Sequence, residues 1–302
     1  MFNSKISKKY SSTLQCHSEL ISSQFSKILG DALKNSDGEI GFLKLLTDKF
    51  NERVAISIPS HSGLKIESWA KMIHQRPYVD VNGVRETELG DLLISVRYEF
   101  SDKTPPEEKA IIYQVKLEKG QNTDLFLIAN NQLKILTEWP AFNLSLNSKS
   151  YLIEPISKEA SSYLLLRRPG PGTPKPISVQ SAPFLSQLLG HQNQNYGVAV
   201  PAVDLVAIVD EVGDNGVNAS SISRDNSKYS TASLQSVSNH STNDWGFFTE
   251  HLCFQKGESF FNNQEFSELI TDVLSFVGDK RKETDISHGY FCAIQIIVKS
   301  GN

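Results

Sequence analysis

Along residues 13–34, TLQCHSELISSQFSKILGDALK, the apolar positions Leu14, Ile21, Phe25, Ile28, Leu29 and Leu33 recur at helical spacing. The segment reads as an amphipathic helix. NSDGEIGFLKLLTDKF follows as a cap and a second helix, with Asp37 as candidate N-cap. RVAISIPS suits a short strand, and ESWAKMIHQRP reads as a short helix stopped by Pro77. The period then becomes two. Residues 89–100, LGDLLISVRYEF, and 109–118, KAIIYQVKLE, alternate apolar and polar positions as strands do. Their connector, SDKTPPEE, is polar with two prolines, which marks a loop between paired strands.

Further along, NTDLFLIANNQLKILTEW reads as a strand or helix opening into a helix, and KSYLIEP as a strand. RRPGPGTPKP is a loop by composition, and VPAVDLVAIVDEVG returns to strand or helix. Residues 213–243 are rich in serine and asparagine and read as a long flexible segment. EFSELITDVLSFVGDK is an amphipathic helix and YFCAIQIIVKS a strand. Helices, antiparallel strands, helix and strand in this order predict an α/β core with a mixed sheet. The expected division is a core over residues 1–165 and an α/β accessory region over 166–302.

The two alternating strands also carry the candidate chemistry. In the first, Leu92, Ile94, Val96 and Tyr98 share a face, and Asp91, Leu93, Ser95 and Arg97 take the other. In the second, Ile111, Tyr113, Val115 and Leu117 oppose Gln114, Lys116 and Glu118. Pairing of these strands would bring Asp91, Gln114 and Lys116 to one spot. A hard divalent cation needs oxygen ligands. The Asp91 carboxylate, the Gln114 side-chain carbonyl and the Val115 backbone carbonyl are candidates. A lysine beside them can orient a water or offset charge building on a phosphate. One carboxylate with one glutamine binds metal weakly, so another acid is expected to contribute. Glu19, on the first long helix, is the first candidate; Glu39, Glu67 and Glu88 remain open.

The string ELGDLLI followed by YQVK resembles the PD-(D/E)XK, or restriction-endonuclease-like, nuclease motif, with glutamine in place of the usual second acid. The resemblance covers residues of about 13–156. It implies a restriction-endonuclease-like core: a helix bearing an acid, a small mixed sheet carrying the motif, and a further helix. It also implies an Mg²⁺-dependent (Mn²⁺ serving as well) endonuclease that hydrolyses phosphodiester bonds in DNA, in a bacterial restriction or anti-phage setting. Asp91 is then a metal ligand, Gln114 marks the second ligand position and Lys116 is the catalytic lysine. The competing expectation is an inactive module of the same fold that binds a protein partner or nucleic acid.

Composition narrows this only partly. Of 302 residues, 39% are hydrophobic and 21% charged, which suits a soluble globular chain. The net charge of −4 gives no global basic signature, so contacts to nucleic acid would be local. His74, Arg76, Arg85, Arg97 and Lys119 are candidates for phosphate contacts, and Arg167, Arg168 and Lys175 for a DNA-contacting loop or a connector. Cys16, Cys253 and Cys292 form no CxxC pair, which argues against a zinc site and for a reducing cytosol. MFNSKISKKYSS lacks the apolar run of a secretory signal, and no stretch reaches a membrane span. The expectation is a cytoplasmic protein without a membrane partner, with homo-oligomerisation left open. Trp139 reads as a packing anchor. DEVGDNG lacks the order of an EF-hand loop and reads as a turn, and His191, His240, His251 and His288 have no metal-ligand spacing.

Overall fold

A computed structural model describes residues 12–52, 55–57, 63–73, 77–81, 84–99, 106–118, 125–144, 149–153, 160–167, 177–182, 185–186, 198–201, 258–259, 264–275 and 291–300. Its helices are α1 (Ser18–Asn35), α2 (Glu39–Asn51), α3 (Asn130–Glu138) and α4 (Gln264–Ser275). The strands are β1 (Ala55–Ser57), β2 (Leu64–Ile73), β3 (Tyr78–Val81), β4 (Val84–Glu88), β5 (Leu92–Glu99), β6 (Glu107–Leu117) and β7 (Leu125–Ile128). They continue as β8 (Phe142–Leu144), β9 (Lys149–Tyr151), β10 (Ser161–Leu166), β11 (Ile177–Ser181), β12 (Val198–Pro201), β13 (Glu258–Ser259) and β14 (Phe291–Ser300).

The architecture is α/β, built on a mixed sheet in the order β1-β2-β14-β5-β6-β10-β11, with β13 also pairing β6. β5 and β6 are antiparallel, whereas β14–β5 and β6–β10 are parallel. One face carries Leu92, Ile94, Tyr113, Val115, Leu164 and Ile294, packed on α1 and α2 through Phe25, Leu29, Phe42 and Phe50. The other face carries Leu93, Ile112, Tyr163 and Ala293, packed on α3 and α4 and on the small sheet β4-β3-β8-β9. Both faces are therefore interior. The side of β5 and β6 that looks polar in sequence is a second core with buried polar groups set into it. α4 shows why such segments are helical: Phe266, Leu269, Ile270 and Val273 are buried at i, i+3, i+4 and i+7.

Several expectations change. ESWAKMIHQRP is not a helix, because residues 67–73 belong to β2, which pairs antiparallel with β14 from Leu64↔Ser300 to Ile73↔Phe291. That long ladder outweighs the helix-forming tendency of Glu, Ala, Lys and Met. The N-cap of α2 is Gly38 rather than Asp37, and no side chain caps it. Residues 291–300, expected in the accessory region, lie between β2 and β5 at the centre of the sheet. Trp139 is buried edge-on to Phe266 at 6.1 Å between ring centroids, and it ends α3 in the left-handed conformation at φ 45°. The 213–243 segment, DEVGDNG, Arg168, Lys175 and His191, His240, His251 and His288 fall outside the described residues.

Candidate functional site

The alternation of β6 organises the site. Its even-numbered residues turn their backbone groups to β10: Ile112 N donates to Ala160 O and Glu118 N to Leu166 O, both at 2.9 Å. Its odd-numbered residues turn theirs toward β5, where Tyr113 O accepts from Asp91 N at 2.9 Å. β5 begins only at Leu92, so beyond Tyr113 no described strand pairs this edge. Two carboxylates take the place of that strand. Asp91 Oδ2 accepts from Val115 N at 2.8 Å, and Glu39 Oε1 accepts from Leu117 N at 2.7 Å. Val115 O points to the same edge by the same alternation, which puts it between the two acids. Two residues of strand separate the paired amides by roughly 7 Å.

Asp91 is 2% exposed and Gln114 1%. The Gln114 side chain donates through Nε2 to Asp91 Oδ2. Its Oε1 is buried and makes no hydrogen bond among the described residues. Gly90 lets the strand entrance come this close, since a Cβ there would lie 2.5 Å from Ile112 Cγ2 and 3.1 Å from Tyr113 O. Cys292 N donates to Asp91 O at 2.8 Å, so β14 fixes the other side of this turn.

Lys116 lies two residues beyond Gln114 on the same face of β6, half-buried, with no ion pair among the described residues. Tyr163 is the register partner of Gln114 on β10. Its hydroxyl is also buried without a hydrogen-bond partner among the described residues. Burial, and secondarily the charge of Asp91, hold this phenol neutral well above the ordinary tyrosine range. Glu118 and Arg167, both buried, lie one residue past the Leu117↔Leu166 pair. Arg167 is thus part of the interior and not a surface loop that could track DNA.

Asp91 meets the Gln114 side chain and the Val115 amide, and Lys116 lies two residues further along β6. The acid bonded to the β6 edge is Glu39 and not the first candidate, Glu19. Glu19 sits exposed in the first turn of α1. Glu88 accepts from Gln132 Nε2 of α3 at 3.1 Å, and Glu67 pairs with Lys299 at 2.5 Å. Glu39, in the first turn of α2, is the acid bonded to the strand carrying Gln114 and Lys116. The sequence offered only its position on a helix ahead of the strands. Arg97 is not a phosphate ligand of this site: it pairs with Glu99 at 2.8 Å and Glu108 at 3.5 Å. It lies six residues along β5 from Asp91, roughly 20 Å at strand rise. His74, Arg76 and Lys119 lie outside the described residues, as does the side chain of Arg85.

Among the described residues no three His, Cys, Asp or Glu side chains form a metal-binding group. A cation here would need a mixed set: two carboxylates, an amide oxygen and a backbone carbonyl. That donor set is all oxygen and suits Mg²⁺ or Mn²⁺ rather than zinc. The unsatisfied Gln114 Oε1 supplies a buried acceptor that a cation or its water would satisfy. No described helix is long and apolar enough to cross a membrane. Comparison of the chain with protein-family models, with curated proteins and with solved structures gives no match.

Proposed function

We propose that the chain is an Mg²⁺-dependent nuclease of the PD-(D/E)XK kind that hydrolyses phosphodiester bonds in DNA. The observation that carries this reading is the edge of β6 beyond Tyr113, which pairs with no described strand and where Asp91 and Glu39 accept from the Val115 and Leu117 amides, beside Gln114 and Lys116. The element order supports it as well: an acid-bearing helix, antiparallel strands, a crossover through α3, and a strand parallel to β6. Asp91, Glu39 and Val115 O would hold the cation, with Gln114 Oε1 reaching it through a bound water. When bound, it supplies Lewis-acid polarisation of a phosphate and a more acidic water. Asp91 stays fixed by its two N–H donors, which limits reorganisation of the site. Lys116, half-buried and unengaged by a carboxylate among the described residues, places a compact positive charge where a phosphate would enter.

One observation favours a second reading, a non-catalytic binding module. Gln114 Nε2 and Val115 N both donate to Asp91 Oδ2, so this carboxylate has protein donors without any cation. Plasmid and linear DNA incubated with Mg²⁺ or Mn²⁺ distinguish the two. The nuclease reading expects cleavage by wild type and none by Asp91→Ala or Lys116→Ala. Absence of cleavage of any DNA or RNA form, or equal cleavage by the variants, refutes it. Retained DNA or protein binding without cleavage supports the module.

A further inference from the structure

Two register partners in the interior of this site each carry a buried, unsatisfied polar atom. Gln114 Oε1 is an acceptor and the Tyr163 hydroxyl is a donor, and neither has a hydrogen-bond partner among the described residues. The two residues are paired across β6 and β10. Gln114 faces away from the α1–α2 core that holds Tyr113 and Val115, and Tyr163 belongs to the opposite core, so both side chains leave the same face. Neighbouring strands lie about 4.8 Å apart, so the side chains are immediate neighbours. An orphaned buried group costs about 1–3 kcal/mol, and two adjacent orphans of opposite character are the usual mark of an unseen water or ion. Phenylalanine would fill the same apolar space without that cost.

We infer that Tyr163 and Gln114 share one bound water, and that this water belongs to the binding shell of the cation held by Asp91 and Glu39. Tyr163 Oη donates to the water, the water donates to Gln114 Oε1, and its remaining lone pair faces the cation. Mg²⁺ held by one or two carboxylates keeps several waters, and these need fixed partners. Buried waters make about three contacts, as here. Tyr163 is then a positioning residue for metal capture, acting through the water. The inference rests on the metal-dependent reading above.

The test uses the full chain and Mn²⁺ alone, without nucleic acid. Melting temperature is measured in EDTA and at saturating Mn²⁺, and the Mn²⁺ dissociation constant by calorimetry, for wild type, Tyr163→Phe and Leu165→Val. Leu165 occupies the same face of β10 and has no hydroxyl, so its variant reports packing loss alone. The expectation is that Tyr163→Phe melts at or above wild type in EDTA and binds Mn²⁺ about three- to tenfold more weakly, the worth of one hydrogen bond. Leu165→Val should melt lower and keep the wild-type constant. An unchanged constant in Tyr163→Phe overturns the inference and leaves the metal site standing. A loss of stability in EDTA with unchanged Mn²⁺ affinity makes the water purely structural and also overturns it. Failure of wild type to bind Mn²⁺ removes the metal-dependent reading and the inference together.

Discussion

Acids of metal sites are commonly destabilising in the absence of metal, so replacing one tends to raise stability. Asp91 should behave in the opposite way. Its Oδ2 holds the Val115 amide at 2.8 Å and the Gln114 amide group, in a place where Asp91 is 2% exposed. Asp91→Ala leaves both donors buried and unpaired, at about 1–3 kcal/mol each. Relief of the buried carboxylate's own desolvation offsets part of this, which leaves roughly 2–4 kcal/mol. Both donors share Oδ2, so Asp91→Asn with its carbonyl oxygen at that position keeps both hydrogen bonds and should lose much less than Asp91→Ala. For a chain of this size 1 kcal/mol shifts the melting temperature by roughly 2 °C, so Asp91→Ala should melt roughly 4–8 °C below wild type in EDTA. Differential scanning calorimetry in EDTA, with no metal and no substrate, measures this directly. If Asp91→Ala melts with or above wild type, the carboxylate does not carry the strand edge and its structural role is wrong.

The other predictions concern positions near the same edge. Glu39→Gln should reduce any cleavage activity at least tenfold while Glu19→Gln keeps wild-type rates; equal rates for both would return the companion acid to the open candidates. Gly90→Ala must push Ile112 Cγ2 and crowd Tyr113 O, costing about 1–3 kcal/mol as overpacking, readable as a lower urea midpoint. The Cys292 thiol is pushed up to about 12 by burial, so it should resist iodoacetamide at pH 8 while exposed Cys16 is labelled, as peptide mass spectrometry would show. The unfolded chain loses that thiol proton near pH 9, before the folded chain does. Stability should therefore fall as pH rises from about 9 to 12, with a limiting slope of about 1.4 kcal/mol per pH unit.

The strands that carry Asp91 and Lys116 were legible because period-two patterning survives burial on both faces. Leu92↔Tyr113 pairing follows from it and sets Asp91 beside Gln114. The helices α1 and α4 were legible for the same reason at period 3.6. β2 was not, because Trp69, Met72 and Ile73 fit a helix as well as a strand and its partner lies far away in sequence. The choice of Glu39 over Glu19 depends on where the start of α2 lands against the end of β6, and one-dimensional spacing does not encode that contact. The burial of Arg167 was hidden for a similar reason: composition assigned it to the following loop, whereas it ends the β10 ladder in the interior.

The central place of β14 bears on how the protein is made. About 190 residues separate the end of β5 from the start of β14, yet these strands are neighbours, and Asp91 itself is tied to Cys292. Closing so long a loop before any reward is gained is slow and raises contact order. At about 5–20 residues per second, a ribosome needs roughly 10–40 s to travel from one strand to the other. During that interval β2 and β5 present unpaired edges, which invite association with other nascent chains or with a chaperone. The turn holding Asp91 lacks its final clamp until then. Under the nuclease reading proposed above, the chain would stay inert during synthesis and complete the Asp91 turn only once β14 is available, a delay written into strand order.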